Sequence, residues 1–369
     1  MSVSNMDDHY YAVIMAGGGG TRMWPLSRKS SPKQTLKLVG DTSLFQQAVD
    51  RLGGVFPPER ILVVTVSEQA QMLHEQRPII PLENYLIEPF PRGTASVVGL
   101  ASVAIRARDP QAIMAVVTAD HFIGNTKRFE RLLTAAKCVA LDEYLVTLGI
   151  TPTFPSTGYG YIQRGKSVGT YNGLEAYKVE RFKEKPDESH AIMMLKDGEH
   201  AWNSGMFVWQ VNQIIDEIKS QLPDLFMVLQ EISKAWGTSQ QDSELSRVWP
   251  GINPETIDYG IMEGASKVAM IPAEGLNWRD VGSWDSLFGM LPKDEHGNIV
   301  VSENYLGLDT DDSLVYVDNK QDDRLIVTIG LKDMILVDTG DVIMVCPKDR
   351  AQEVRTVVKR LKEMGNDYL

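Results

Sequence analysis

Residues 11–34 read YAVIMAGGGGTRMWPLSRKSSPKQ, and the rest of the chain is organised around them. Val13, Ile14 and Met15 form a short apolar run that predicts a buried strand leading directly into Gly17, Gly18, Gly19 and Gly20. Without a Cβ, these residues let a ligand approach the backbone and let N–H groups converge on an anion. No Asp or Glu occurs from His9 to Gly40, whereas Arg22, Arg28, Lys29, Lys33 and Lys37 are all basic, in a chain of net charge −12. A polyphosphate ligand accounts for this local reversal, since Arg and Lys are the usual partners of phosphate. A glycine-rich turn beside a solvated basic face accounts for the glycines alone. Two familiar phosphate loops are excluded. A Walker loop requires Lys-Ser or Lys-Thr after the last glycine, where Thr21-Arg22 stands, and the dinucleotide fingerprint requires a glycine at Arg22.

The composition sets limits on the rest. With 369 residues the chain can bury a large core and form one large domain plus a smaller one. Its 43% hydrophobic and 23% charged residues are ordinary globular values. The acidic balance argues against nucleic acid or an anionic membrane as a partner. Cys138 and Cys346 are the only cysteines and lie in apolar segments, which argues against a disulfide framework and suits a reducing cytoplasm. The polar N-terminal MSVSNMDD lacks the apolar region of a signal peptide, and no apolar run reaches a membrane span of about 18 residues. A soluble, cytoplasmic protein is expected.

Along the chain, Ser43 and Gln46 have capping-box spacing ahead of a helix bearing Leu44, Phe45, Ala48, Val49 and Leu52. Strands are predicted at 61–66, 84–87, 112–117 and 143–150, with a long helix at 95–108 that Thr94 caps. This alternation implies an α/β fold with a doubly wound, mostly parallel (mixed) sheet, in which ligands sit beyond the carboxyl ends of the strands. The glycine loop and Asp120, in TADH at 118–121, both occupy such positions. Residues 211–249 read as helices joined by polar turns. Beyond residue 292 the pattern changes: apolar runs at 314–317, 325–329, 334–337 and 342–345 alternate with Asp- and Gly-rich turns, which predicts a small all-β unit. A terminal helix follows, capped by Asp349 with Gln352 and apolar at Val354, Val357, Val358 and Leu361.

The strand, glycine loop, Arg22 and the ending LSR…PKQ together resemble the signature of the sugar nucleotidyltransferases, most closely the mannose-1-phosphate guanylyltransferase (GDP-mannose pyrophosphorylase) family. Further motifs follow in that family's order. EPFPRGTA at 88–95 resembles its nucleoside segment, with Gly93 where the family commonly has an amide side chain. GYGYI at 158–162 resembles its sugar-facing loop, FKEKP at 182–186 its F-x-E-K-P motif, and WNSGMF at 202–207 its sugar-binding Asn motif. IDYGIME at 257–263 resembles a marker of the mannose-specific branch, and WRDVGSW at 278–284 carries the second metal-ligand candidate.

The resemblance runs from about Tyr10 to Leu361. It implies transfer of GMP from GTP to mannose 1-phosphate, giving GDP-mannose and pyrophosphate by in-line attack on the α-phosphate. Ala16, Gly17, Gly18, Gly19, Gly20 and Thr21, with Arg92, Gly93 and Thr94, are then expected to hold the nucleotide. Arg22 and Lys33 are the expected catalytic cations, and Gly160, Glu184, Lys185 and Asn203 the sugar-phosphate ligands. Asp120 and Asp280 are expected to carry Mg²⁺, which favours carboxylate, water and phosphate oxygens. The implied division is a catalytic domain at 1–291 and a left-handed β-helix-like domain with a terminal helix at 292–369, which could support a homodimer. The isomerase-bearing cupin domain of longer relatives is not expected. The alternatives are a different hexose or heptose 1-phosphate, a different nucleotide, or a non-catalytic nucleotide-sugar sensor.

Overall fold

A computed structural model describes residues 7–18, 20–318, 324–365 and 368–369. Gly19 of the glycine loop and N-terminal residues 1–6 lie outside the described residues. By contact the chain divides into two compact units. One comprises residues up to Gly17, Ala48–Ala119 and Ile123–Trp278; the other comprises Gly18–Gln47, Asp120–Phe122 and Arg279–Leu369.

The N-terminal strands are β1 (Tyr10–Met15), β2 (Ile61–Val66), β3 (Tyr85–Glu88), β4 (Ile113–Thr118) and the short β5 (His121–Ile123). They are followed by β6 (Leu145–Ile150), β7 (Tyr161–Tyr171), β8 (Leu174–Lys183), β9 (His200–Gln210), β10 (Val268–Pro272) and the short β11 (Trp278–Asp280). The first unit is built on a mixed sheet of nine strands among the described residues, in the order β3-β2-β1-β4-β9-β6-β10-β8-β7. Its first four strands are parallel, β9 runs antiparallel to both β4 and β6, and β8 runs antiparallel to β10 and β7. Every residue of β2, ILVVTV, is buried, as expected of a parallel strand covered on both faces.

The helices are α1 (Leu44–Asp50), α2 (Ser67–Gln76), α3 (Thr94–Arg108), α4 (Thr126–Leu141), α5 (Glu188–Asp197), α6 (Val211–Gln221), α7 (Pro223–Ala235) and α8 (Gln241–Val248). Side chains alternate along β1, so Tyr10 and Val13 face opposite ways. The Tyr10 hydroxyl donates to the Leu133 carbonyl of α4, while Val13 joins the core formed with α3, α6 and α7. Helices therefore cover both faces, as doubly wound sheets require. At Gly99 of α3 a Cβ would lie 2.5 Å from a methyl of Leu229, so this glycine lets α7 pack close. The turn between β7 and β8 is Asn172-Gly173, both at positive φ, a pairing that matches strand twist in two-residue hairpins.

Two local expectations are corrected. The 143–150 strand starts at Leu145, because Glu143 adopts the left-handed conformation. Gly93, not Thr94, is the N-cap of α3, and Thr94 instead accepts a hydrogen bond from the Ile257 N–H at 2.9 Å.

In the second unit, β12 (Ile299–Val301), β14 (Leu314–Val317) and β16 (Met334–Asp338) pair in parallel, as do β13 (Tyr305–Leu308) and β15 (Ile326–Ile329). β17 (Ile343–Pro347) closes the stack antiparallel to β16. Asp309, Asp312 and Asp333 take positive φ at the turns, which explains the Asp-rich spacing. The core of this unit combines Ile299, Leu314, Tyr316, Ile335 and Val337 with Trp284 and with Met23, Trp24, Leu26, Leu36 and Leu38 from beyond the glycine loop. The Trp284 indole N–H donates to the Trp24 carbonyl at 2.9 Å.

The Ser43–Gln46 capping box forms as expected, with reciprocal bonds of 2.9 and 3.1 Å. The terminal helix α9 (Val354–Glu363) is not capped by Asp349 and Gln352. A 3₁₀ turn at Lys348–Glu353 precedes it, and the Gln352 amide donates to the Ser283 hydroxyl at 2.7 Å. Val354 and Val358 are buried, whereas Val357 is exposed.

Candidate active site

The nucleotide candidates follow the parallel strands β1 and β3, Asp120 follows β4, and Asp280 ends β11. Ala16 is buried and donates its N–H to the Val64 carbonyl at 2.9 Å, which fixes where the glycine loop begins. Gly20 has φ 58° and leads into a 3₁₀ turn at Thr21–Met23. A Cβ on Gly20 would stand 2.3 Å from the Cβ of Lys33, so a glycine is needed for Lys33 to lie against the loop. Thr21 and Arg22 are exposed.

Lys33 is only 5% exposed. Its ammonium group lies 2.9 Å from Asp120 Oδ2 and 4.0 Å from Asp280 Oδ1. Asp120, the buried His121 and Asp280 each offer a ligand atom, all within 4.8 Å of one another. The Val281 N–H donates to the Asp120 carbonyl at 3.3 Å and joins the two carboxylate segments. The side chains of Asp120 and Asp280 are 40% and 25% exposed, so water or a ligand can reach them. This group can hold a metal ion. Not every base near the loop faces a ligand: Arg28 forms a two-pronged ion pair with Asp341 at 2.5 and 2.7 Å.

In the 88–95 segment the backbone carries the order. Gly93 has φ 87°, and a Cβ there would be 2.1 Å from the Glu255 carbonyl oxygen. A side chain at this position would require the Glu255 backbone to move. Arg92 donates to the Pro250 carbonyl at 2.9 Å and stacks over Phe90. Sequence reasoning missed Glu88, the last residue of β3, which is 2% exposed. Its Oε1 would be 2.5 Å from a Cβ on Gly17, and its Oε2 has no hydrogen-bond partner among the described residues. Burial pushes its pKa up to about 7, against one backbone N–H from Arg92 that acts the other way. Its place at the end of an apolar strand was the available signal.

A second cluster gathers Gly160, Glu184, Lys185 and Asn203. A Cβ on Gly160 would be 2.3 Å from Glu184 Oε2 and 3.4 Å from the Asn203 Cβ. The Asn203 N–H donates to the Gly160 carbonyl at 2.8 Å. Lys185, at φ 45°, pairs with the buried Glu184 carboxylate. Tyr161 is fully buried in the core, while Tyr159 packs with Trp202 and Trp278 at ring distances of 5.0 and 5.6 Å. Sequence reasoning also missed Thr147, Asp258 and Glu263, which hold this cluster: Thr147 donates to Asn203, Asn203 to Asp258, and the Glu184 N–H to Glu263.

The chain is a nucleotidyl-transferring enzyme: it belongs to the Nucleotidyl transferase family, whose model matches residues 11–297. A MannoseP isomerase/GMP-like beta-helix domain matches residues 303–361. The chain is 34% identical over 353 residues to a mannose-1-phosphate guanylyltransferase of Klebsiella pneumoniae, covering 95% of this chain and 74% of that protein. It is 35% identical to the alginate biosynthesis protein AlgA of Pseudomonas aeruginosa, covering 96% and 72%. Among solved structures, one from Thermus thermophilus described as a mannose-1-phosphate geranyltransferase superposes with a TM-score of 0.82 at 34% identity, covering 96% of this chain and 99% of that one.

Proposed function

We propose that this enzyme transfers GMP from GTP to mannose 1-phosphate, releasing pyrophosphate. The observation that carries the reading is the buried Lys33 ammonium beside Asp120 and Asp280, directly behind Gly20. It is supported by the name mannose-1-phosphate guanylyltransferase carried by relatives that match nearly the whole chain.

A phosphate oxygen of the sugar attacks the α-phosphorus while pyrophosphate leaves on the opposite side. The nucleophile is already an anion, so no general base is needed. The protein's work is to position two mutually repelling anions and to stabilise developing charge. The backbone of Ala16, Gly17, Gly18, Gly20 and Thr21 lines the triphosphate, and the exposed Arg22 holds its β and γ phosphates. Lys33 serves the reacting phosphate. Arg92, Gly93 and Thr94 form the nucleoside segment. Gly160, Glu184 and Asn203 hold the sugar, and Lys185 its phosphate.

Two part-exposed carboxylates fit Mg²⁺, which keeps waters and phosphate oxygens in its shell. Bound by Asp120 and Asp280, it would neutralise phosphate charge. We assign residues 1–291 to the catalytic domain, 292–369 to the β-helical domain, and the protein to the cytoplasm. No helix among the described residues is long and apolar enough to cross a membrane. A homodimer is supported by Leu306, Leu308, Val327 and Ile329, which are exposed on the paired strands β13 and β15.

The test is a panel of sugar 1-phosphates and nucleoside triphosphates read by pyrophosphate release. GTP with mannose 1-phosphate should give the highest kcat/KM. Faster turnover of another pair would reassign the substrates, and no turnover with any pair would favour a sensor.

A further inference from the structure

The stretch IDYGIME forms a five-residue π turn, Asp258–Met262, closed by the Glu263 N–H donating to the Asp258 carbonyl at 3.0 Å. Such turns insert an extra residue into a helical segment and recur at functional sites. Here both ends of the turn carry a carboxylate, and each grips a different motif. Asp258 Oδ1 accepts from the Asn203 amide at 2.7 Å, and Glu263 Oε1 accepts from the Glu184 N–H at 2.9 Å. Tyr259 adds a bond from its hydroxyl to the Glu184 carbonyl at 3.5 Å.

The Asn203 side chain is thereby fixed at both ends. Its oxygen accepts from the Thr147 hydroxyl at 3.0 Å and from the Gly205 N–H at 3.2 Å, while its nitrogen donates to Asp258. An amide has two N–H donors, so one remains for a ligand hydroxyl, aimed in a direction that Asp258 dictates. We propose that Asp258 is a positioning residue for sugar recognition, holding the Asn203 amide in the one orientation that presents its second N–H to a hydroxyl of the sugar 1-phosphate. This rests on the reading of Asn203 as a sugar ligand.

The surroundings agree with such a role. Burial and the neighbouring Glu184 carboxylate push the Asp258 pKa up to about 6, while Asn203 and Lys185 act the other way. A carboxylate kept beside another carboxylate is unfavourable for packing alone, and an uncharged side chain would spare that repulsion.

The test combines Asp258→Ala, Asp258→Asn, Asn203→Ala and the double variant Asp258→Ala/Asn203→Ala, with thermal melting to establish folding. Asp258→Ala should raise KM for mannose 1-phosphate about tenfold, the scale of one charge-assisted hydrogen bond, with kcat and the KM for GTP little changed. Asp258→Asn keeps an acceptor oxygen and should recover most of the loss. In the Asn203→Ala background, Asp258→Ala should add almost nothing, because the two act as a unit. If Asn203→Ala raises the sugar KM and Asp258→Ala does not, the proposal fails while the sugar site stands. If neither changes it, the reading of Asn203 fails and the proposal with it. Parallel losses for GTP and sugar would mark a purely structural role and overturn it too. Should Asp258→Ala not fold, Asp258→Leu, similar in shape but without an acceptor, should raise the sugar KM alone; a wild-type KM there would equally refute the proposal.

Discussion

Lys33 meets two carboxylates from a position 5% exposed to solvent. Removing it takes away a preorganised donor and leaves two acidic groups facing each other. Lys33→Ala should therefore lower kcat and kcat/KM together by roughly 10²–10³, as read by pyrophosphate release. Lys185 is about half exposed and on another motif. Lys185→Ala should chiefly raise KM for mannose 1-phosphate and spare that for GTP; steady-state kinetics with each substrate varied in turn checks both. Glu88 makes a pH prediction. Its pKa is raised from 4.5 to about 7 in the folded chain, so between those values the native state binds more protons than the unfolded one. Stability attributable to this group thus falls as pH rises from about 4.5 to about 7. Denaturant melts of Glu88→Gln should show a flatter pH dependence over that range and greater stability than the parent at about pH 8.

At the scale of elements, strands and helices were legible because their apolar periodicity follows directly from burial. β2, β4 and the repeated runs of the β-rich unit lie within a residue or two of expectation. What sequence could not reveal were partnerships across long separations. Thr94 looked like a cap until Ile257, far along the chain, supplied its hydrogen-bond donor. Gly93 reads from sequence as a missing contact, whereas the Glu255 backbone lies against it. Asp258 looked like a family marker, because nothing local signals that its carboxylate holds an amide on β9. Lys33, Asp120 and Asp280 were legible as candidates, but not as an ion-paired group. Trp284 shows what such a distant partnership contributes. It is fully buried, stacks edge-on to Tyr316 and bonds to the Trp24 carbonyl. Trp284→Ala should cost about 3–5 kcal/mol, from lost burial and the cavity left behind, measured by denaturant unfolding.

For the whole molecule, chelation is the broadest test of the metal assignment. EDTA should abolish turnover and added Mg²⁺ restore it, and Asp280→Asn should require more Mg²⁺ for half-maximal rate while melting near the wild-type temperature. Wild-type rates for Asp280→Asn at limiting Mg²⁺ would remove Asp280 from the metal site. A last consequence concerns the order in which the molecule can be made. Residues 23–38 leave the ribosome early, yet the side chains that complete their core, Ile299, Leu314, Tyr316, Ile335 and Val337, are among the last translated. The sheet strand β1 can find β2 and β4 long before that. A free chain truncated near residue 290 should therefore show a protease-resistant sheet and a protease-sensitive loop segment, so that the chain acquires its sheet well before its chemistry.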